Sequence, residues 1–214
     1  MTIAIVDYGV GNLQSLKKAF AYFGVTTSIE EDAAQIEKAD ALVLPGVGSF
    51  EAGMRGLHVR HLAGTVKSFS EAGKPILGIC LGAQLLLDEG HEFGIHKGLG
   101  IISGNVVRFP EFPQKEKVPH VGWNGVRQPS TVSWTGSILQ GLGDEPEFYF
   151  VHSYILVPDA TEHILGRTTY GGVEFCSVIK KGNTIGVQFH PEKSGKIGLA
   201  LIKNYIDLVE RNAE

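Results

Sequence analysis

The sequence predicts an α/β fold: a mostly parallel central sheet with helices on both faces and additional antiparallel strands in the second half. Three observations predict it. Short β-rich runs alternate with stretches of helical periodicity through about residue 90. From about residue 101 the helical spacing gives way to short strands separated by turn residues. A clear amphipathic helix then closes the chain. Alternation of the first kind implies parallel strands covered on both faces, whereas consecutive short strands pair antiparallel.

The elements follow in order. TIAIVD (2–7) is a β-rich run, and NLQSLKKAFAYFG then sets Leu13, Leu16, Phe20 and Phe23 on one helical face before Gly24 stops it. ALVLP (41–45) is the next strand, with a helix expected across 50–72, and PILGI (75–79) leads into a leucine-rich helical segment. Then come IISGNVVRF, VPHVGWNGV, EFYFVHSYILV and VEFCSVIKKGNTIGVQFH. The KGN turn of the last joins two apolar runs as a hairpin. SGKIGLALIKNYIDLVERN closes the chain as an amphipathic helix with Ser194 at its N-cap. No repeat and no Pro/Ser-rich linker interrupts the 214 residues, so 1–214 is expected to be a single domain.

Composition excludes several function classes. The formal charge is −4 and the 19 basic residues are scattered, so there is no basic stripe to neutralise nucleic-acid phosphates. No apolar run approaches membrane-spanning length, and Asp7 interrupts the N-terminal apolar run with no cationic segment before it. A cytoplasmic protein with no membrane partner is expected. The two cysteines, Cys80 and Cys176, do not make a disulfide framework and are expected to be reduced. The eight histidines form no zinc-like spacing with cysteines or acids, so no metal and no cofactor is expected. DYGVGN follows a strand as a dinucleotide fingerprint would, but Gln14 stands where the third glycine belongs.

Chemistry gathers at three places. GICLG puts Cys80 between glycines at a strand-to-helix junction, the pattern of a strained elbow that lifts a nucleophile above the sheet. A helix N-terminus there favours the thiolate, and Leu81 offers its backbone N–H to a developing oxyanion. The plainer alternative is a packed core cysteine, which is how Cys176 in VEFCSV reads. A nucleophilic thiol needs a base and a group to orient it. GVQFHPEKS supplies His190 and Glu192, two residues apart and on one side of an extended chain; Pro191 between them should end the strand and leave both exposed at a sheet edge. Taken alone, that histidine reads as a satisfied core or surface residue. In LPGVGSFEAG, Gly46 and Gly48 flank Val47, giving a peptide free to rotate and a backbone N–H that could complete an oxyanion hole with Leu81. Otherwise it is a connecting loop.

Together GICLGAQLL, FVHSY, FHPEKS and LPGVGSF resemble the class I glutamine amidotransferases, with a Cys-His-Glu triad. More narrowly, DYGVGN, PHVGWN and HPEKS are similar to the glutaminase-subunit family of imidazole glycerol phosphate synthase, and the likeness runs nearly end to end. The resemblance implies that Cys80 attacks the side-chain amide of glutamine, that His190 takes the thiol proton and passes it to departing ammonia, and that Glu192 orients the imidazole. Gly46 and Gln84, with the backbone of Ser153 and Tyr154, match glutamine-holding positions, and Leu81, Val47 and Gly48 the oxyanion site. Asn12, Pro119, His120, Trp123, Asn124, Tyr149 and Lys193 match a face that docks a (β/α)8-barrel cyclase in a heterodimer. That cyclase would use the ammonia to make imidazole glycerol phosphate and an aminoimidazole carboxamide ribonucleotide in histidine biosynthesis. Ile155 departs from the pattern, being apolar where an arginine or aromatic is expected at the outer rim of the pocket.

Two rivals remain at this level. A γ-glutamyl hydrolase or differently partnered amidotransferase would share the elbow, but PHVGWN and DYGVGN serve no catalytic need and fit a docking surface better. A non-catalytic regulatory module would not need Cys80, His190 and Glu192 together. One further expectation concerns control: an unpartnered glutaminase would waste glutamine, so the Val47 N–H is expected to point away from the oxyanion position until a partner docks, with Lys193 placed to report docking.

Overall fold

The computed structural model describes residues 1–113 and 116–213. Its first half is the expected alternation: β1 (Ile3–Val6), α1 (Leu13–Ala21), β2 (Thr27–Glu30), α2 (Ala33–Lys38), β3 (Ala41–Leu44), α3 (Phe50–Val59), α4 (Leu62–Glu71), β4 (Ile76–Ile79) and α5 (Leu81–Leu85). The second half is strand-rich: β5 (Glu89–Gly90), β6 (His96–Lys97), β7 (Gly104–Arg108), β8 (His120–Gly125), β9 (Glu147–His152), β10 (Tyr154–Pro158), β11 (Ile164–Tyr170), β12 (Val173–Lys181) and β13 (Thr184–Val187), before α6 (Gly195–Ala213).

The main sheet runs β2-β1-β3-β4-β13-β12-β10-β7-β5-β6, with β11 also paired to β12. Its first five strands are parallel, and β12, β10 and β7 continue it antiparallel. Strands β1, β3, β4 and β13 are buried at every residue, as unbroken apolar runs between two helical layers must be. One core packs Phe20 and Tyr205 of α1 and α6 against one face of the sheet. The other packs Phe50, Met54, Leu57 and Val66 of α3 and α4 against the opposite face. Strands β8 and β9 form a separate antiparallel ribbon. Among the described residues, no helix is long and apolar enough to cross a membrane.

The hairpin at KGN forms, with Lys181 opposite Thr184. Three other expectations need correction, and some elements were not foreseen. The helix expected over 50–72 is two, broken where His61 adopts a left-handed φ of 57°; no glycine or proline marks that break, and the apolar period runs on through it. The leucine-rich helix after Cys80 is only five residues long, and Leu85, Leu86 and Leu87 are all buried, so that run fills a core rather than one helical face. Strands β2 and β11 and helix α2 went unread because their burial is partial or their residues polar. Ser194 does not cap α6 with its side chain: its hydroxyl donates to the His190 carbonyl at 2.6 Å and accepts from the Tyr149 N–H at 3.0 Å.

Candidate active site

Strand β4 delivers Cys80 to the carboxyl end of the parallel sheet. The residue sits at φ 53°, ψ −110°, a conformation costly for a side chain bearing Cβ, and so held by its surroundings. The Cys80 N–H donates to the Val187 carbonyl of neighbouring β13 at 2.8 Å, which anchors the elbow. Gly82 is needed just beyond it, because a Cβ there would overlap the Leu44 carbonyl. The elbow read from GICLG is therefore present, strain included. With a helix of five residues, less of the thiolate's support can come from aligned peptide dipoles than the sequence suggested.

Strand β13 continues through Gln188 and Phe189 to His190, whose N–H donates to the Tyr149 carbonyl at 2.9 Å. The 3-10 turn Pro191–Lys193 then folds Glu192 back onto the histidine, bringing Nδ1 within 2.8 Å of Oε1. Both side chains are nearly buried, 3% and 2% exposed. This corrects the expectation of an exposed sheet edge: β13 lies between β4 and β12, inside the sheet, and it is the turn after Pro191, rather than strand alternation, that aims the carboxylate. His190 Nε2 is buried and finds no hydrogen-bond partner among the described residues. Cys80 opens on the same cavity and is among the groups that shift the titration of the imidazole, with no hydrogen bond joining the two in the substrate-free chain. Burial lowers the His190 pKa, but the influence of Cys80 and Glu192 outweighs it and pushes the imidazole up to about 9.

Cys80 and His190 open on a cavity of about 400 Å³ that is also lined by Val47, Gln84, Tyr154 and Lys193. Gly48, Leu81, Ser153 and Pro119 reach it too. Gly46, expected to help hold glutamine, is not among the residues that line the cavity; its carbonyl accepts from the Leu81 N–H at 3.4 Å. Both predicted oxyanion donors are thus beside the sulfur, but one is occupied and the other turned away, since the Val47 N–H lies on the opposite side of the same peptide. Gly48, at φ 114° with open space around it, is the left-handed position that permits this loop.

Gln84 is buried, and its Nε2 donates to the Tyr154 carbonyl at 3.4 Å and to Gln188 Oε1 at 3.1 Å. Its own oxygen is what remains for a ligand. The Ser153 carbonyl is likewise taken, by the Phe109 N–H at 3.1 Å. Ile155 is 7% exposed and packs in the core opposite Val107, so it is not on the pocket rim. Two residues that sequence reasoning missed also belong here. Glu92 lines the cavity while accepting from the Phe50 N–H at 2.8 Å, at the start of α3. Gln188 donates from Nε2 to Cys80 Sγ at 3.8 Å. The second was within sight, next to the histidine in VQFH; nothing local in HEFG points to the first.

The residues expected on a docking face divide. Asn12, which caps α1, is exposed with Pro119, Trp123 and Lys193. Tyr149 stands opposite Trp123 across the β8–β9 ribbon, with ring centroids 6.3 Å apart and Lys193 Nζ 5.9 Å above its ring. His120 and Asn124 face inward instead, a correction that strand alternation explains: Val121 and Trp123 point out, so their neighbours point in. His120 is 2% exposed. Its Nδ1 meets His152 Nε2 at 3.1 Å, and His152 Nδ1 donates to the Tyr154 carbonyl at 2.8 Å. Asn124 Nδ2 donates to the Thr169 carbonyl at 2.9 Å. Burial depresses both imidazoles, His120 to about 4 and His152 to about 3, so the pair is neutral at neutral pH.

Cys176 is buried in β12, its thiol pushed up to about 12 by burial. Among the described residues, no group of three or more His, Cys, Asp and Glu side chains is placed to hold a metal ion.

Against known proteins, the family model described as glutamine amidotransferase class-I matches residues 4–207. The chain is 43% identical over 211 residues to the imidazole glycerol phosphate synthase subunit HisH 1 of Legionella pneumophila (strain Lens), covering 97% of this chain and 99% of that protein. It is 44% identical over 207 residues to the imidazole glycerol phosphate synthase subunit HisH of Moorella thermoacetica, covering 97% and 95%. A solved structure described as a glutamine amidotransferase superposes with a TM-score of 0.74 over 97% of this chain and 98% of that one, at 18% identity, a likeness of fold alone.

Proposed function

Because the chain belongs to the class-I glutamine amidotransferase family, as a glutamine amidotransferase subunit of imidazole glycerol phosphate synthase in histidine biosynthesis, we propose that Cys80, His190 and Glu192 hydrolyse glutamine and that the ammonia passes to a docked (β/α)8-barrel cyclase. The observation that supports this most directly is Cys80 at a strained φ of 53° beside a buried, unpartnered His190 Nε2 whose Nδ1 is held by a buried Glu192. Strain, burial and an empty hydrogen-bonding site together are costly to a merely structural role.

In this reading the imidazole is protonated at neutral pH, since His190 is pushed up to about 9, and stands ready as the acid for the leaving group. Sγ attacks the amide carbon of the glutamine side chain, and the carbonyl π pair moves to oxygen. His190 delivers its proton to the amide nitrogen as the C–N bond breaks, releasing ammonia and leaving a thioester. Water, deprotonated by the now neutral imidazole, attacks that thioester and yields glutamate and the regenerated thiolate. Glu192 keeps the imidazole oriented through both transfers. Of the cavity's charged side chains outside the triad, Glu92 suits the α-ammonium of glutamine and Lys193 its carboxylate. Gln84 offers its oxygen.

The tetrahedral oxyanion needs two donors, and neither the Leu81 nor the Val47 N–H is free while the Gly46 carbonyl faces Leu81. Rotation of the Gly46–Val47 peptide would withdraw that carbonyl and turn in the Val47 N–H. The exposed face of Trp123, Pro119, Lys193 and Asn12 is where the cyclase would dock. Tyr149 on the same ribbon is hydrogen-bonded to the His190 N–H, giving docking a physical route to the site.

The test is glutamine turnover by the isolated chain, then with barrel cyclase, then with cyclase and its nucleotide ligand, beside light scattering for a one-to-one complex. Turnover that rises on both additions is expected. Absence of a complex at micromolar concentration would refute the partner, and absence of glutaminase activity under all three conditions would refute the reaction.

A further inference from the structure

We infer that Gln188 is a positioning residue for the nucleophile, its side-chain amide donating to Cys80 Sγ so as to favour and aim the thiolate. This rests on the reading of Cys80 as the nucleophile and goes beyond the triad.

The orientation of that amide follows from its neighbours rather than from choice. The Tyr154 carbonyl can only accept, so the end of Gln84 that meets it is the nitrogen. Gln84 Nε2 must then find an acceptor in Gln188, 3.1 Å away, which makes the facing atom of Gln188 its oxygen. The NH2 group of Gln188 is left pointing at Cys80 Sγ, 3.8 Å away. Gln188 is fully buried, so no water competes for that donor. Its backbone N–H is held by the Ser177 carbonyl at 2.9 Å, which fixes the stem.

The sulfur has two such contacts of opposite effect. The thiol can donate to the Val151 carbonyl at 3.8 Å, which stabilises the protonated form. Gln188 Nε2, at the same distance, can only donate, and stabilises the anion. With α5 only five residues long, this side-chain donor supplies what a longer helix dipole would have supplied. The charged or titratable groups around the sulfur are His190, with Glu192 behind it; buried Tyr8, whose phenol is held neutral by burial and by the nearby sulfur; neutral His152; and Glu92 and Lys193 across the cavity. A single chain of amides thus runs from Tyr154, at the glutamine pocket, through Gln84 and Gln188 to the attacking atom.

The experiment is the pH dependence of Cys80 alkylation by iodoacetamide, read by peptide mass, in the intact chain and in Gln188→Met, which keeps the length and removes the donor. Cys176, buried and with its thiol pushed up to about 12, serves as the unlabelled control. We predict that Gln188→Met moves the alkylation midpoint up by about one pH unit, roughly a tenfold loss of reactive anion at any pH below the parent's midpoint. In the cyclase complex kcat should fall with KM nearly unchanged. Gln84→Met, which frees the Gln188 amide to turn over, should move the midpoint in the same direction by less. A Gln188→Met protein that folds and binds cyclase but titrates and turns over like the parent overturns the inference. If Gln188→Met does not fold, an unmoved midpoint in Gln84→Met overturns it instead. Failure of the underlying reading is separate: there the parent protein itself would label elsewhere than at Cys80.

Discussion

The Gly46 carbonyl accepts a hydrogen bond from the Leu81 N–H at 3.4 Å, and this contact closes the site where a tetrahedral oxyanion would sit. Opening it requires a peptide rotation at a place where the backbone tolerates it. Gly48 already holds a φ of 114° and nothing surrounds its missing Cβ. A β-branched residue or proline at 48 is strained in that conformation whatever the space. We predict that Gly48→Val and Gly48→Pro, which strain the closed arrangement, leave complex formation intact and raise the basal rate of the isolated chain, so that cyclase and ligand stimulate it less. Lack of one oxyanion donor costs roughly a hundredfold to a thousandfold in rate, and because the closed peptide withholds two, that is the least stimulation expected of the parent. Full turnover by the isolated chain, unaltered by either addition, would sink the switch.

For the nucleophile, Cys80→Ala should abolish glutamine hydrolysis while ammonia-driven synthesis by the complex survives, because the cyclase chemistry lies in the partner. Cys80→Ser should be nearly as inactive, since an alcohol does not ionise near neutral pH. Retained glutaminase activity in Cys80→Ala would show that another group attacks.

Glu192→Gln keeps a hydrogen-bonding group 2.8 Å from His190 but loses the charge that supports the imidazolium. Removal of an orienting carboxylate from a triad costs roughly fifty- to a hundredfold less than removal of the nucleophile, and that gap is the prediction. Equal losses in Glu192→Gln and Cys80→Ala, compared in one stopped assay, would contradict the orienting role.

Stability should depend on pH in two opposed arms. His120 and His152 titrate at about 4 and about 3 in the fold and near 6.5 when unfolded, so below pH 6.5 the unfolded chain binds more protons and stability is lost as the pH is lowered. His190 is raised to about 9, so its contribution is complete below pH 6.5 and is lost as pH climbs through 9. Thermal midpoints should therefore peak near neutrality. His152→Gln should flatten the acid arm and Cys80→Ala the alkaline one; a flat midpoint between pH 4 and 6.5 would mean the buried pair is not neutral.

Trp123 and His120 are three residues apart on β8 and should behave differently. Trp123→Ala removes an exposed ring over Tyr149 and should weaken cyclase binding by at least tenfold with little change in thermal midpoint, as large aromatic anchors do. His120→Ala empties a buried site stacked on Tyr170 and bonded to His152, and should lower the midpoint before it touches binding. Equal binding losses with equal stability, measured by titration calorimetry and thermal melts, would contradict this division.

What the sequence determined by itself is the strands β1, β3 and β4 with their alternating helices, the elbow at Cys80 and the pairing of His190 with Glu192. Each is local: a continuous apolar run, two glycines around one cysteine, two groups two residues apart. Even the choice of Cys80 over Cys176 was local, since only one lies at a strand-to-helix turn. Tertiary structure alone decided the rest. It buried the His190–Glu192 pair by placing β13 between β4 and β12, turned His120 and Asn124 inward through the pleat of a ribbon whose outer face belongs to Trp123, and broke one expected helix at His61. It also brought Gln188 to a cysteine distant in sequence and Glu92 to the cavity on which that cysteine opens. Hydrogen bonds between side chains from separate strands, and the direction in which a peptide such as Gly46–Val47 points, depend on which elements become neighbours, and no periodicity along the chain records that.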